Sequence, residues 1–424
     1  MSTIGALHAT EILDSRGRPT VKVSCTLAGG AHAAVSVPSG ASTGRAEARE
    51  LRDGDPARYG GLGCRKAVAN VETTIATALR GRAFAEQPAL DRALLELDGT
   101  ADKSRLGANA MLGVSLAFAR AQACERGLPL YRHFADLIGT QPLHLPRLTV
   151  NLFSGGKHAG GQVAIQDVLL VPGAATIDDG LAALYAVYQA AAALSAERYH
   201  ARALTADEGG LAPPFEDAQA MLATAVDAIA RAGLRPGVEM SLALDVASSH
   251  FYRESRYELD GNALSAGEMI ARIEDWVRRF PIVSVEDGLA EDDWEHWPEL
   301  HGALHGRALT LGDDLLCTNP ARIRRAVAEN CADALLLKVN QIGTLSEAAD
   351  AYALARAAGW RVTVSARSGE TEDDWLADLA VGWSADQIKV GSITHSERLA
   401  KYNRLLEIER ETRLPTVAWP SVVT

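Results

Sequence analysis

Six short apolar runs, each followed by a stretch of helical character, constrain the fold of this chain more than any other feature of its sequence. A continuous apolar run is typical of a strand buried on both faces, as in a parallel sheet. Repeated strand–helix units favour a closed β/α barrel, and an open doubly wound sheet is the alternative. The apolar runs are residues 241–247, 281–285, 308–311, 334–337, 361–364 and 387–390. The helical stretches between them include residues 265–280, 344–358 and 371–381.

The N-terminal part of the chain is organised differently. Two stretches with strand-like alternation flank a Gly29-Gly30 turn, and helical stretches follow. A segment with one glycine and two prolines, residues 139–146, separates this part from the strand–helix repeat. We therefore predict an α/β protein with an N-terminal α+β domain at residues 1–138 and a β/α-barrel domain at residues 139–424. The elements predicted in the first domain include strands 20–27 and 33–37 and helix 108–126.

Composition excludes several classes of function. The 424 residues carry 42 Lys and Arg against 54 Asp and Glu, a net charge of −12, which disfavours a nucleic-acid partner. No apolar run is long enough to span a membrane, and the first ten residues do not resemble a signal peptide. The five cysteines are scattered and odd in number, which argues against a disulfide framework. We expect a protein of the reducing cytoplasm.

Charged residues stand where each predicted strand ends, and catalytic groups of barrel enzymes lie at the carboxyl ends of strands. One acid in such a place is often the N-cap of the next helix, and one lysine is often solvated. Three acids on successive strands together predict a site with hard oxygen ligands, which suits Mg²⁺. The strand-end residues are Asp245, Glu286, Asp313, Lys338, Arg367 and Lys389.

Such a set of side chains suits the removal of a proton next to a carboxylate. That proton is weakly acidic, and the enolate needs strong positive charge from a metal ion and nearby lysines. A buried lysine flanked by cations has a depressed pKa and can act as the base. Arg367 can hold a phosphate or a carboxylate through two parallel hydrogen bonds.

Ten sequence motifs in this order resemble the enolases (phosphopyruvate hydratases) over essentially the whole chain. The resemblance implies an enolase-type, TIM-like barrel with an N-terminal capping domain, a hydro-lyase activity, and two Mg²⁺ ions per active site, the second arriving with substrate. It also implies a homodimer or a higher homo-oligomer. The motifs are DSRGRPTV, PSGASTG, ELRDGD, GANAMLGVSLA, ADEGGLAP, PIVSVEDGL, GDDL, LKVNQIGT, RSGETEDD and IKVGS.

The resemblance implies a role for each matching residue. Lys338 matches the base that removes the C2 proton, and Glu208 matches the acid that assists loss of the C3 hydroxyl. His158 matches a histidine on a mobile loop and, with Asp167, counts among both the catalytic and the substrate-binding candidates. The implied ligands of the first Mg²⁺ are Asp245, Glu286 and Asp313, and Ser42 joins the second. The other implied substrate contacts are Gly40, Ala41, Ser42, Arg367, Ser368 and Lys389.

Two positions depart from the family pattern at the same end of the substrate. Asp167 stands where the family has a longer glutamate, and Ala366 stands where it has a histidine. One interpretation is an ordinary enolase that tolerates both changes. The other is a specialised enolase-like enzyme whose enlarged site dehydrates a carboxyphosphono-glycerate to carboxyphosphonoenolpyruvate in phosphinate antibiotic biosynthesis. A non-catalytic binding protein is a third interpretation, which the retained base, acid and metal ligands disfavour.

Two further histidines, His301 and His305, are spaced one helical turn apart in the segment HGALH. We predict that this segment faces solvent and is not a metal site. The glycine-rich segment 60–63 lacks the strand–helix context of a dinucleotide-binding loop.

Overall fold

The N-terminal part of the chain forms a small antiparallel sheet covered by helices. In the computed structural model, which describes residues 1–41, 44–201 and 204–419, its four strands lie in the order β3-β2-β1-β4. The 19-residue helix α4 is buried along most of its length because it packs against β2 and β3. The strands are β1 Ser2–Leu13, β2 Pro19–Leu27, β3 His32–Ser36 and β4 Ala83–Phe84. The helices are α1 Arg65–Ala69, α2 Ala76–Leu79, α3 Gln87–Asp98, α4 Ala108–Arg126 and α5 Leu130–Leu137.

The remainder of the chain forms a closed eight-stranded barrel in the order β11-β12-β13-β14-β15-β5-β6-β7. Closure rules out the open doubly wound sheet. Three short strands, β8 to β10, form a separate sheet. The strands are β5 Arg147–Ser154, β6 Asp167–Pro172, β7 Met240–Asp245, β8 Tyr252–Arg253, β9 Arg256–Leu259, β10 Asn262–Leu264, β11 Ile282–Glu286, β12 Leu309–Gly312, β13 Ala334–Leu337, β14 Arg361–Ser365 and β15 Gln387–Gly391. The helices are α6 Ile177–Tyr199, α7 Ala218–Arg231, α8 Ala266–Arg279, α9 Trp297–Leu304, α10 Pro320–Glu329, α11 Val339–Ile342, α12 Leu345–Ala357, α13 Trp375–Gly382 and α14 Ser396–Thr412.

All six predicted barrel strands are present, with ends shifted by one or two residues at most. The sequence pattern missed β5 and β6. These two strands pair antiparallel, and β6 also pairs antiparallel with β7. The segment between β5 and β6 contains a single 3₁₀ turn, Gly156–His158, and no α-helix. A strand–helix repeat therefore does not reveal β5, whereas β6 is followed by α6.

Loops of the N-terminal part reach the carboxyl end of the barrel. Ser39 and Gly369 exchange backbone hydrogen bonds of 2.8 and 2.9 Å, and Arg16 donates to the Ser368 hydroxyl at 3.1 Å. These contacts place the 39–41 segment beside the loop after β14. The division of the chain at residues 138 and 139 stays a prediction. Among the helices that the structure describes, none is both long and apolar enough to cross a membrane.

Candidate active site at the carboxyl end of the barrel

A small enclosed cavity of about 20 Å³ lies at the carboxyl end of the barrel strands. It brings together seven of the site residues predicted from sequence, which come from six separate segments of the chain. Its wall also includes Gln166, which sequence analysis did not assign to the site. The lining residues are His158, Gln166, Glu208, Asp245, Lys338, Ser365, Ala366, Arg367, Ser368, Lys389 and Val390.

Asp245 and Glu286 end adjacent strands and share one lysine. They are paired in register across β7 and β11, which sets their carboxylates side by side. The Lys389 ammonium donates to Asp245 at 2.8 Å and to both Glu286 oxygens at 2.7 and 2.9 Å. Burial opposes the charge on Lys389, but the two acids outweigh it and raise its pKa well above the ordinary value. Burial and the neighbouring Asp245 raise the pKa of Glu286 well above its ordinary value.

Lys338 contacts the third predicted metal ligand, Asp313. Its ammonium lies 2.5 Å from one Asp313 oxygen, and the Gln341 amide donates to the other at 2.8 Å. Burial alone would depress the pKa of Lys338, but the Asp313 carboxylate outweighs burial and raises it. The depressed pKa expected for the base lysine is therefore wrong for this structure, because the expectation considered the neighbouring cations and not the acid in contact.

A further buried acid, Asp287, is hydrogen-bonded to the backbone at Asp313. The buried Asp287 carboxylate accepts hydrogen bonds from the backbone N–H groups of Asp313, at 3.0 Å, and Asp314, at 2.8 Å. Carboxylate oxygens of these three residues lie within 4.8 Å of one another. Sequence analysis overlooked Asp287 and Asp314, although each follows a predicted ligand directly in VEDG and GDDL.

The acids at this end of the barrel are suited to a divalent cation. Their donors are carboxylate oxygens, which Mg²⁺ prefers, and no thiolate is among them. Burial together with Asp313 raises the pKa of Asp314 to about 8, and burial together with Asp245 raises that of Glu286, so the ionised forms of these acids are disfavoured without a nearby cation. Added positive charge among these acids is therefore favourable. Asp245, Glu286 and Asp313 supply donors of this kind, and their assignment as Mg²⁺ ligands stays a prediction.

His158, Asp167 and Glu208 form a separate buried group on the other side of the cavity. The His158 Nδ1 lies 2.8 Å from Asp167, and its Nε2 lies 3.7 Å from Glu208. Asp167 also accepts a hydrogen bond from Ser154 at 2.6 Å, and Glu208 accepts one from Asn151 at 3.0 Å. Burial disfavours the charge on His158, but Asp167 and Glu208 outweigh it and raise its pKa to about 9. Burial likewise opposes the Glu208 charge, but His158 and nearby cations lower its pKa.

The loop that carries Glu208 is fixed by the glycine that follows it. Gly209 has a φ of +86°, in the left-handed region that favours glycine, and a Cβ there would collide with Thr394. The Gly209 carbonyl accepts hydrogen bonds from Thr394 at 3.0 Å and Tyr188 at 3.2 Å. These contacts hold the Glu208 carboxylate towards the cavity, which explains the need for glycine in ADEGG.

Arg367 lies on the side of the cavity that carries the candidate base Lys338, here called the base side. Partners from the N-terminal part and from the barrel hold its side chain. Its guanidinium donates to both Glu47 oxygens, at 3.1 and 3.2 Å, and to Asn340 at 2.9 Å. The backbone carbonyls of Arg367 and Ser368 accept hydrogen bonds from the buried Arg398, at 2.6 and 2.5 Å. Sequence analysis did not assign Glu47, Asn340 or Arg398 to the site, because a polar residue in a loop or helix gives no signal of its tertiary partner.

Ala366 forms part of the cavity wall between Arg367 and the strand that carries Lys389. Its backbone N–H donates to the Lys389 carbonyl at 2.8 Å, so the backbone here is anchored to β15. The side chain is a single methyl group on the cavity surface. An imidazole at this position would occupy space that the cavity now includes.

The PSGASTG loop is only partly described. Gly40 and Ala41 line a neighbouring groove together with Arg16 and Arg45. Ser42, the predicted ligand of a second Mg²⁺, lies outside the residues that the structure describes. Its assignment therefore stays a prediction.

Fold and site together define a class of protein. A β/α barrel that encloses acids, two lysines and an arginine in one cavity at its carboxyl end is an acid–base barrel enzyme for a small anionic substrate. The paired acids and lysines at separate positions around the cavity allow a proton to be taken at one place and given at another.

Comparison with known proteins defines the family. The model of the enolase N-terminal domain matches residues 4–134, and the model of the enolase C-terminal TIM barrel domain matches residues 142–417. The chain is 48% identical over 412 residues to an enolase of Acidothermus cellulolyticus, covering 97% of this chain and 95% of the relative. The chain therefore belongs to the enolase family and is an enolase-type hydro-lyase.

Proposed function

We propose that this enzyme removes water from 2-phosphoglycerate to give phosphoenolpyruvate, or performs the same elimination on a close phosphono analogue. The observation that carries the proposal is that Lys338 and Glu208, the candidate base and acid, line one enclosed cavity. Lys338 takes the C2 proton, a C2–C3 double bond forms, and the C3–O bond breaks. The C3 hydroxyl accepts a proton from the group that contains Glu208 and leaves as water.

Lys338 must be a neutral amine to accept the C2 proton, and its contact with Asp313 disfavours that form. Displacement of the Asp313 carboxylate from Lys338 is therefore a condition of the proposal. Asp313 would meet this condition by holding a cation, because its oxygens would then no longer be available to the Lys338 ammonium. The proposed base and the proposed metal ligand thus depend on each other.

Asp245, Glu286 and Asp313 would hold one Mg²⁺, and Ser42 would contribute to a second that arrives with substrate. The metal supplies positive charge that stabilises the enolate formed when the C2 proton leaves. Lys389, whose ammonium lies between Asp245 and Glu286, would bind the substrate carboxylate.

Substrate phosphate would be held by Arg367 and Ser368, with Gly40 and Ala41 of the neighbouring loop. The Arg367 guanidinium is buried and oriented by Glu47 and Asn340, so little side-chain entropy remains to be lost on binding. Its planar donors suit a phosphate oxygen pair.

The proton that leaves with water would come from the group formed by His158, Asp167 and Glu208. The imidazolium of His158 is favoured by its two acidic neighbours, and its Nε2 faces Glu208 at 3.7 Å. A small movement brings these atoms within hydrogen-bond reach. Asp167 fixes the ring through Nδ1.

A phosphono analogue is the second candidate substrate, and Ala366 together with Asp167 favours it. Both residues are smaller than their counterparts in the family pattern, and Ala366 lies on the cavity surface. A carboxyphosphono-glycerate carries one carboxylate more than 2-phosphoglycerate, and the space beside Ala366, near the cationic Lys389 and Arg367, suits an added anion. Water loss would then give carboxyphosphonoenolpyruvate.

A competition experiment distinguishes the two substrates. Purified enzyme with Mg²⁺ would receive 2-phosphoglycerate and the carboxyphosphono analogue together, and phosphorus NMR would follow both products. Faster consumption of 2-phosphoglycerate makes the enzyme an ordinary enolase, and faster consumption of the analogue assigns it to the specialised reaction. Consumption of neither, in enzyme that has bound Mg²⁺, contradicts the proposal.

A homodimer in the cytoplasm completes the proposal, supported by membership of the enolase family. Light scattering after gel filtration should then give a mass of about 90 kDa, twice the 45.0 kDa of one chain. A mass near that of one chain would contradict it.

A further inference from the structure

Three side chains at the amino end of the barrel form a group that water elimination does not use. His301 lies on α9, His305 directly follows that helix, and Asp333 directly precedes β13. Ligand atoms of the three residues lie within 4.8 Å of one another, and the imidazole centroids are 5.6 Å apart. Because β12 and β13 begin beside this group, it lies at the end of the barrel opposite the catalytic cavity.

His301 has an unsatisfied nitrogen in this group. The residue is only 5% exposed, and its buried Nδ1 makes no hydrogen bond to any residue that the structure describes. A buried polar atom without a partner destabilises the fold. The prediction that the HGALH segment faces solvent is therefore wrong for His301, while His305 is exposed.

We propose that His301, His305 and Asp333 form a binding site for a divalent transition metal of the zinc class. Two imidazoles and one carboxylate are ligands that zinc accepts, whereas Mg²⁺ and Ca²⁺ prefer oxygen alone. Histidines one helical turn apart lie on the same face of a helix. Three protein ligands leave the fourth tetrahedral position for water.

Two of the three ligands are held by their surroundings. The Asp333 carboxylate accepts a hydrogen bond from the Thr310 N–H at 2.8 Å, and its backbone pairs with Thr310 at 3.1 Å and Arg361 at 3.0 Å. His301 is fixed by burial in α9. The exposed His305 side chain is the movable one. Ligands of a tetrahedral zinc ion lie about 3.3 Å apart, so a swing of His305 by about 1–2 Å closes the site.

Metal binding at this position would connect two turns of the barrel. His305 belongs to the turn between α9 and β12, and His301 lies one helical turn before it in α9. Asp333 belongs to the turn between α10 and β13. A ligand that binds only the folded protein stabilises it by mass action. The bound metal would therefore link the two turns and stabilise the fold at the amino end of the barrel, with no contact to the reacting atoms.

Calorimetric titration of untagged, full-length enzyme with Zn²⁺ tests the proposal, with Mg²⁺ saturating throughout. We expect one Zn²⁺ equivalent that His305→Ala weakens by about 100-fold or more. The matched control is His296→Ala, because His296 is also a partly exposed histidine and pairs with Asp293 at 2.6 Å. Asp245→Asn removes a proposed metal ligand of the catalytic cavity and so distinguishes Zn²⁺ bound there from Zn²⁺ bound at His305. The Zn²⁺ equivalent assigned to His305 should persist in this variant.

Two further readouts keep the test decisive. Cobalt in place of zinc should give visible absorption of tetrahedral type in the wild-type enzyme and not in His305→Ala. Zinc should raise the melting temperature of the wild type and leave that of His305→Ala unchanged. Asp333→Asn serves as the second variant if His305→Ala fails to fold. The proposal would be overturned if the wild type and a folded variant bound zinc equally. A wild-type Kd for zinc above about 1 mM would also overturn it.

Discussion

The two sides of the catalytic cavity are built in different ways. On the base side, Asp313 and Lys338 directly follow the parallel strands β12 and β13, and Arg367 lies two residues after the end of β14. The motifs of these residues match the family pattern. On the acid side, His158 and Glu208 lie on loops beside the antiparallel strands β5 and β6. Asp167 belongs to this second side as the first residue of β6, whereas Ala366 directly follows the parallel strand β14 beside Arg367. The comparison indicates that strand ends position the proposed base, while the proposed acid is positioned by loop contacts.

The largest expected effect is loss of the base. Lys338→Ala should abolish exchange of the substrate C2 proton with solvent and lower turnover by roughly 10³-fold or more, because no other amine replaces it beside Asp313. Mass spectrometry of substrate recovered from deuterated water measures the exchange. Lys66→Ala, at an exposed lysine of the N-terminal part, is the control and should exchange normally.

Loss of the acid should separate water loss from exchange of the C2 proton. Glu208→Gln keeps the size of the side chain and a hydrogen bond with Asn151 but cannot pass on a proton. Water loss should fall by about 10²–10⁴-fold, while C2 exchange stays detectable because Lys338 is unchanged. Both rates can be read from one incubation in deuterated water. Equal loss of exchange in the Glu208 and Lys338 variants would contradict the division of roles.

Restoring the family residues should change the substrate preference. Ala366→His with Asp167→Glu should increase activity on 2-phosphoglycerate relative to the phosphono analogue by roughly tenfold, the effect of about 1.4 kcal/mol. The ratio of kcat/KM values for the two substrates measures the change. Ala366→Gln fills the same space without an imidazole and should not reproduce it. An unchanged ratio would mean that both departures are neutral.

The smallest effect is expected from loss of Asp287, whose carboxylate is hydrogen-bonded to the backbone of Asp313 and Asp314. Asp287→Asn tolerates the positive φ of 44° at this position but keeps only one acceptor for the backbone N–H groups of Asp313 and Asp314. The free energy of unfolding should fall by about 1–2 kcal/mol, and Mg²⁺ should bind more weakly. Urea unfolding and Mg²⁺ titration measure both. Asp292→Asn, at an exposed acid nearby, should change neither.

Sequence patterns predicted the base side and its strands because each charged residue there follows a buried apolar run. The same reasoning missed β5, which no helix follows before β6, and also missed β6, although α6 follows that strand. It missed partners such as Glu47, Asn151 and Gln166 as well. A polar residue whose role depends on a distant contact has no local signature. The pKa of Lys338 and the burial of His301 were predicted wrongly for the same reason, since each depends on which side chain or helix packs against it.

The most direct test of the central claim is elimination under control of Mg²⁺. Purified enzyme would be stripped of metal with EDTA and then titrated with Mg²⁺ in the presence of 2-phosphoglycerate or the phosphono analogue, with the enol product followed by absorbance or phosphorus NMR. We expect no product without metal and saturable formation of product from at least one substrate as Mg²⁺ is added. Saturable binding of Mg²⁺ with no product from either substrate would contradict it.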